Sequence, residues 1–362
     1  LSQGVCDLAV PEPVVRAAKS AIDQGENSYS RHDGTGVLRR ALAENYQRRA
    51  GIGVNAETDV VVTSGATGAL YCSCLALLEP GDEVILFEPY YSYHESTLIA
   101  TEAVPVFVPT LAPDWSFSMD DLEKAVSSKT KAIIVNTPSN PSGKVWSRSE
   151  MEQIAEFCKR HDLFVFTDEI YEHFVFDGLE HISMASLPGM WERTITMSGL
   201  SKTFSITGWR IGYAICAAKW AEAIGNFSDL GEVCAPTPLQ MGAAAGIVEL
   251  DDEYFVKLAA KYQRKREVLC NTLDKIGLTP CVPQGAYYVL ADVMSLPGNN
   301  SKERAMYLLD QTGVASVPGE SFFKGSAGEG MVRFCFAKED DVIEDACHRL
   351  EAWYGGKATK TG

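Results

Sequence analysis

From Leu38 to Ala217 the chain alternates short apolar segments with segments of helical period, and few architectures accept that order. "DVVVTSG", "DEVILFEP", "KAIIVNTP", "DLFVFTDE", "RTITMSG" and "RIGYAICA" are rich in β-branched and aromatic residues, and most lack a polar residue at every second place. A strand reads this way when both of its faces are buried. "ATGALYCSCLALL" follows the first of them as a helix. Strands alternating with helices predict an α/β fold with a mostly parallel central sheet flanked by helices. Most of these strands end in polar residues or glycine, at the edge where open sheets of this kind place their ligands.

After Lys219 the texture changes to long helical stretches, among them "DEYFVKLAAKYQRKREVLCNTLDKI". A mixed segment from "GLTPCVPQGAYYVLADV" follows, then an amphipathic helix near "DDVIEDACHRLEAW" and a polar tail, "GGKATKTG". Two domains are expected of a chain of 362 residues. The larger spans 30–250, and a smaller α+β domain is made of 1–29 together with 251–362. The cleft between them is the expected site.

Composition narrows the function. With 32 basic and 48 acidic residues the net charge is −16, which repels nucleic acid and anionic membranes, and no basic cluster reverses that field. The longest apolar runs fall well short of the ~20 residues that cross a bilayer. Ten cysteines are scattered without a C-x-x-C unit, and six histidines stand apart, so neither a disulfide framework nor a metal site is expected. Buried thiols in the reducing cytoplasm are the expectation. The chain opens on "LSQGVCD" with neither a methionine nor a signal-peptide pattern, and native residues are expected to precede it.

Four strand-end motifs bear polar groups suited to one site. "TSGATGAL" sets Gly65, Ala66 and Thr67 at a strand-to-helix junction, which is either a phosphate seat or simply a tight turn. "NTPSNPSGKV" offers Asn140 in a loop stiffened by Pro138 and Pro141, which by itself is more often turn chemistry than a ligand. "FTDEIYEHF" ends an apolar strand with Asp168, followed by Tyr171; a buried carboxylate there needs a partner, or else caps a helix. "SGLSKTFSITGWRIGY" surrounds Lys202 with small and hydroxyl residues and places Arg210 before the next strand. Together they suit a phosphate-bearing aromatic cofactor whose aldehyde needs an amine and whose ring nitrogen needs an acid, namely pyridoxal 5′-phosphate.

In these motifs, and from "LSQGVCD" to "MVRFCFA", the chain resembles the fold-type I pyridoxal-phosphate enzymes, in particular the class I/II aminotransferases; "VRFCFAKEDD" is similar to their kynurenine aminotransferase branch. The resemblance implies that Lys202 forms a Schiff base with the cofactor and later moves the substrate proton. It implies that Asp168 keeps the ring nitrogen protonated, that Tyr171 and Asn140 bond the phenolic oxygen, and that Tyr91 stacks on the ring. Ala66, Thr67, Ser201 and Arg210 would hold the phosphate. Arg333, with Gly4 and Asn140, would bind the substrate carboxylate. Tyr29 would reach the phosphate of a neighbouring subunit, which implies a homodimer with shared sites. Gly199 departs from the serine frequent in relatives, and Arg31, His32 and Asp33 make an unusually charged loop.

The activity implied is transfer of an amino group from an amino acid to a 2-oxo acid. A lyase or synthase on the same fold is the alternative, since fold alone does not fix reaction type. A non-catalytic effector domain would lack a reason for Lys202, Asp168 and Arg333. The segment 220–256 has no lysine or arginine to meet a second substrate carboxylate, although it has Asp229 and Glu232, which would favour a basic donor if either faced the site. A neutral or aromatic donor is therefore expected, with Arg31 the one group whose reach would favour an acidic donor instead.

Overall fold

In the computed structural model, which describes residues 1–358, two sheets organise the chain; the last residues of the polar tail, 359–362, lie outside the described part. The first sheet has eight strands: β1 (Val60–Ser64), β2 (Glu83–Glu88), β3 (Val104–Leu111), β4 (Ser116–Phe117), β5 (Thr130–Asn136), β6 (Phe164–Asp168), β7 (Thr194–Gly199) and β8 (Ile211–Ile215). Their order across the sheet is β1-β8-β7-β6-β5-β2-β3-β4. β7, β6, β5, β2 and β3 run parallel, while β8 is antiparallel to both β1 and β7 and β4 is antiparallel to β3. The reversal at β8 has a simple cause. Only the turn-rich segment 200–210 separates it from β7, and a parallel return would need a longer crossover.

Helices α1 (Glu12–Asp23) to α8 cover this sheet: α2 (Gly36–Ala50), α3 (Gly65–Leu77), α4 (Ser92–Ala100), α5 (Met119–Ala125), α6 (Arg148–His161), α7 (Ala218–Glu232) and α8 (Thr237–Glu249). Alternate residues along each strand serve opposite faces. Leu86, Ile134 and Phe166 meet Leu70 of α3, Leu98 of α4 and Ile224 of α7, whereas Ile85, Ile133 and Val165 meet Leu122 of α5 and Met151 and Phe157 of α6. Each fully buried side chain of this kind is worth about 1.5–3 kcal/mol.

The second sheet, in the order β11-β12-β10-β9, contains β9 (Thr279–Cys281), β10 (Tyr288–Asp292), β11 (Val317–Pro318) and β12 (Met331–Cys335), all antiparallel. It packs against α9 (Asp252–Lys275), α10 (Ser301–Thr312) and α11 (Asp340–Ala358) through Leu269, Leu308 and Leu350.

The first residues divide between the two layers. Leu1, Cys6 and Leu8 join the apolar cluster of the second sheet. Val14 of α1 lies instead among Leu38, Val60, Phe204 and Ala243. Residues 12–23 thus side with the large sheet, against the expectation that all of 1–29 goes with the C-terminal segment. The reason is the apolar face of α1, which seats Val14 and Ala18 close to Gly242 of α8.

Candidate active site

β8 reverses β7, and β7 in turn runs parallel to β6, β5 and β2. The C-terminal ends of β1, β2, β5, β6 and β7 and the start of β8 therefore share one edge of the sheet. A cavity of 360 Å³ opens there. Its walls include Gly4, Ala66, Thr67, Tyr91, Asn140, Asp168, Tyr171, Ser201, Lys202, Arg210 and Arg333. Gly65 begins the helix that supplies Ala66, and Tyr29, 81% exposed, is outside the cavity.

Lys202 rises from the turn between β7 and β8. Its Nζ donates to the Gly4 carbonyl at 3.1 Å and stands 6.0 Å over the Tyr287 ring. Burial lowers the lysine pKa below its ordinary value and the Arg210 charge acts in the same direction, partly opposed by Cys6, Cys335 and Asp168. The amine is thereby biased toward its neutral, nucleophilic form. Gly199 pairs with Gly212 in the β7–β8 ladder and offers no hydroxyl.

Asp168 caps no helix, because a turn follows β6. One carboxylate oxygen accepts the Ile170 N–H at 3.2 Å, and the other meets His94 Nε2 at 2.9 Å. Its neighbour Glu169 turns away from the cavity, accepting from Ser183 at 2.9 Å and meeting His181 Nε2 at 2.9 Å. His94 is buried, and its ring meets that of Tyr91 edge to face at 5.3 Å. Sequence reasoning missed His94. Its signal is the spacing in "YSYH", which puts it three residues after Tyr91 across the start of α4, on the same helical face.

On the other wall, Tyr171 is buried with its hydroxyl 3.1 Å from that of Tyr288, and burial raises its phenol well above the usual range. Arg333, on β12, donates to Asn140 Oδ1 at 2.8 Å and to the Ser2 carbonyl at 3.0 Å. Its Nε is buried without a partner.

At the far end, α3 starts without a side-chain cap, so its first N–H groups are unclaimed by the helix. Gly65 has φ +75, and a Cβ there would come within 2.3 Å of Arg210 Nη2. Arg210 is held by the Thr207 carbonyl at 3.0 Å and the Ser64 carbonyl at 3.3 Å. Thr67, Ser201 and Arg210 can all donate, which suits an anion. Glu232 also bears on this end, its carboxylate accepting the Ser64 N–H at 2.7 Å. Burial raises its pKa, against the pull of Ser64 and Arg210. It is thus half-buried against the cradle, while Asp229 is exposed. Arg31 is engaged elsewhere: it pairs with Asp33 through both carboxylate oxygens and reaches Glu57 at 3.3 Å and the Glu57 carbonyl at 2.8 Å.

An amine biased toward neutrality, an acid across the cavity from it and a seat of donors for an anion define the site of a pyridoxal-phosphate enzyme, and the residues fit that group. Likeness to known proteins narrows the class. The family model described as aminotransferase class I and II matches residues 1–350, and the chain belongs to this family. Aromatic-amino-acid aminotransferase 2 of Thermococcus litoralis is 36% identical over 354 residues, covering 97% of this chain and 90% of that one. Kynurenine–oxoglutarate transaminase 3 of Mus musculus is 36% identical over 391 residues, covering 99% and 85%. The solved N-succinyldiaminopimelate aminotransferase from Mycobacterium tuberculosis matches with a TM-score of 0.94 at 35% identity, covering 98% of this chain and 92% of that one. The chain is accordingly a pyridoxal-phosphate-dependent aminotransferase of fold type I, acting on amino acids and 2-oxo acids. An aspartate aminotransferase of Pyrococcus abyssi is also 36% identical, so likeness alone does not choose the donor or single out the kynurenine branch.

Proposed function

We propose that this aminotransferase takes its amino group from a neutral or aromatic amino acid and works as a homodimer with shared sites. The observation that carries the donor reading is the cavity wall. Among the described residues, its cations are Lys202, Arg210 and Arg333, while Leu70, Tyr91, Tyr93 and Tyr288 supply apolar and aromatic surface. A second substrate carboxylate would lack a cation of its own, and a buried unpaired charge costs several kcal/mol. Arg31 is committed to Asp33 and Glu57.

Pyridoxal phosphate, when bound, supplies an aldehyde carbon to carry the amino group and an aromatic ring to take up electrons from the substrate Cα. In our reading Lys202 provides the amine that holds the cofactor and then carries the proton to and from Cα. Asp168, fixed by His94, holds the proton at the ring nitrogen, and Tyr91 covers the ring. Tyr171 donates to the phenolic oxygen, with Asn140 nearby. Ala66, Thr67, Ser201 and Arg210 bind the phosphate at the turn begun by Gly65. Arg333 offers the substrate carboxylate a planar charged fork, supported by Asn140 and by the Gly4 segment.

The homodimer reading is supported by exposed apolar side chains. Tyr29 and Leu230 are 81% and 83% exposed, Val233 is exposed as well, and Thr237 donates to the Ser28 carbonyl at 2.9 Å. Large exposed apolar side chains of this kind suit contact with a second copy of the chain. The same reading takes the large unit to end near residue 250, with 251–358 and the first eight residues in the smaller one. It also places the enzyme in the cytoplasm, where its ten cysteines, all free, suit a reducing environment. Among the described residues no helix is long and apolar enough to cross a membrane.

The deciding experiment is a set of single half-reactions of the loaded enzyme with phenylalanine, methionine, glutamate, aspartate and arginine, followed by cofactor absorbance. Phenylalanine or methionine is expected to react at least tenfold faster than aspartate, the scale set by one unpaired charge. A preference for aspartate would sink the donor reading.

A further inference from the structure

We infer that Tyr288 is a positioning residue that couples the cofactor half of the site to the substrate half, by bonding Tyr171 with its hydroxyl and bearing Arg333 on its ring. The inference rests on the roles proposed above for Tyr171 and Arg333. Its geometry comes from strand register. β10 and β12 pair Tyr288 with Cys335 and Leu290 with Arg333, so Tyr288 and Arg333 are diagonal neighbours on one face of the small sheet. The Arg333 guanidinium stands 4.2 Å over the Tyr288 ring and 4.8 Å over Phe322. Beyond that ring, the Tyr288 hydroxyl lies 3.1 Å from the Tyr171 hydroxyl, with both residues buried.

Both ends of Tyr288 are constrained. A Cβ on Gly4 would fall 1.8 Å from its hydroxyl, so the segment that also receives Lys202 closes directly over it. The ring has little freedom to turn away without losing the guanidinium. Burial holds the Tyr288 phenol in its protonated form, so it has a proton to give. Two hydroxyls in contact share their protons in one direction at a time. When Tyr288 donates to Tyr171, the Tyr171 proton is free for an acceptor in the cavity, and a hydroxyl that accepts one bond donates a second more strongly. A shift of Arg333 on substrate binding is felt by the ring beneath it, and through the hydroxyl by Tyr171.

Removal of the hydroxyl and removal of the ring therefore have different effects. In Tyr288→Phe the stack persists and the Tyr171 partner is lost. The pH midpoint of the bound-cofactor absorbance is expected to rise by about half to one unit, the worth of one neutral hydrogen bond, while KM for both substrates stays within about twofold. In Tyr288→Leu the ring is lost too, and KM for both substrates is expected to rise about tenfold through the unsupported guanidinium. Tyr171→Phe is the reference. It should move the same midpoint further, and adding Tyr288→Phe to it should move nothing more.

If Tyr171→Phe moves the midpoint but Tyr288→Phe does not, the hydroxyl link is wrong and the proposed role of Tyr171 stands. If Tyr171→Phe itself leaves the midpoint in place, both fail. Equal KM values in the Phe and Leu variants would overturn the link to Arg333. A role confined to packing would lower the melting temperature of both Tyr288 variants without moving the midpoint, and would likewise overturn the inference.

Discussion

Lys202 shows how burial prepares a side chain for chemistry. Its folded pKa lies below that of the unfolded chain, so between the two values the unfolded state binds the extra proton, and stability without cofactor rises with pH across that window. The reactive amine rises over the same window. Capture of added cofactor by the cofactor-free enzyme should therefore speed up with pH through a midpoint below the usual lysine value of about 10.4. Stopped-flow absorbance measures it, and a rate indifferent to pH would contradict this account of Lys202. Lys202→Ala should bind the cofactor without covalent capture and show no turnover, which mass spectrometry after borohydride treatment can check. In the proposed mechanism His94 acts through Asp168. His94→Ala removes a partner at 2.9 Å and is expected to lower kcat about tenfold to a hundredfold with little change in KM, while His94→Gln, which keeps an N–H, recovers part of the loss. A fall in kcat/KM carried wholly by KM would count against that placement.

Helix ends, more than helix bodies, shape the anion seat. The last turn of α7 brings Glu232 to the Ser64 N–H at the end of β1, just before α3, so a carboxylate sits near the place proposed for a phosphate. Like charges in such proximity oppose each other, and Gln can keep the bond to Ser64 without the charge. Glu232→Gln is therefore expected to bind pyridoxal phosphate about three- to tenfold more tightly near neutral pH, measured by fluorescence titration of the cofactor-free protein. Unchanged or weaker binding would show the carboxylate to be an acceptor for the Ser64 N–H and nothing more. Neither this contact nor the His94 pairing was legible in the sequence, because each joins residues far apart in the chain whose types are common on surfaces. The strands were legible, since burial of both faces leaves an apolar run that nothing else explains, and the polar residues at their ends do line one cavity. The direction of β8 was not, because strand composition is the same for parallel and antiparallel neighbours. The docking of α1 on α8 escaped for a related reason: an apolar stripe says that a helix is covered, not by what.

Charge and shape together set how two copies would meet. With a net charge of −16 per chain, association works against mutual repulsion, so the proposed dimer is expected to tighten as salt is raised from low ionic strength. Leu230→Glu places a further charge at the 83% exposed Leu230 and is expected to give monomers in analytical ultracentrifugation, with turnover lost alongside. Monomers that keep the parental turnover would rule out sites shared between chains. Two contacts of residues 1–8 bear on the life of the molecule before it is complete. Arg333 is anchored on the Ser2 carbonyl, 331 positions away, and Lys202 on that of Gly4. On the ribosome Ser2 emerges 331 positions before its partner Arg333 on β12. Until β12 emerges, then, residues 1–8 lack this partner, and closing so long a loop delays the contact further. The nascent enzyme should remain inert until β12 clears the exit tunnel, and a bulky insertion close to Ser2 would be felt in catalysis before it was felt in the large sheet.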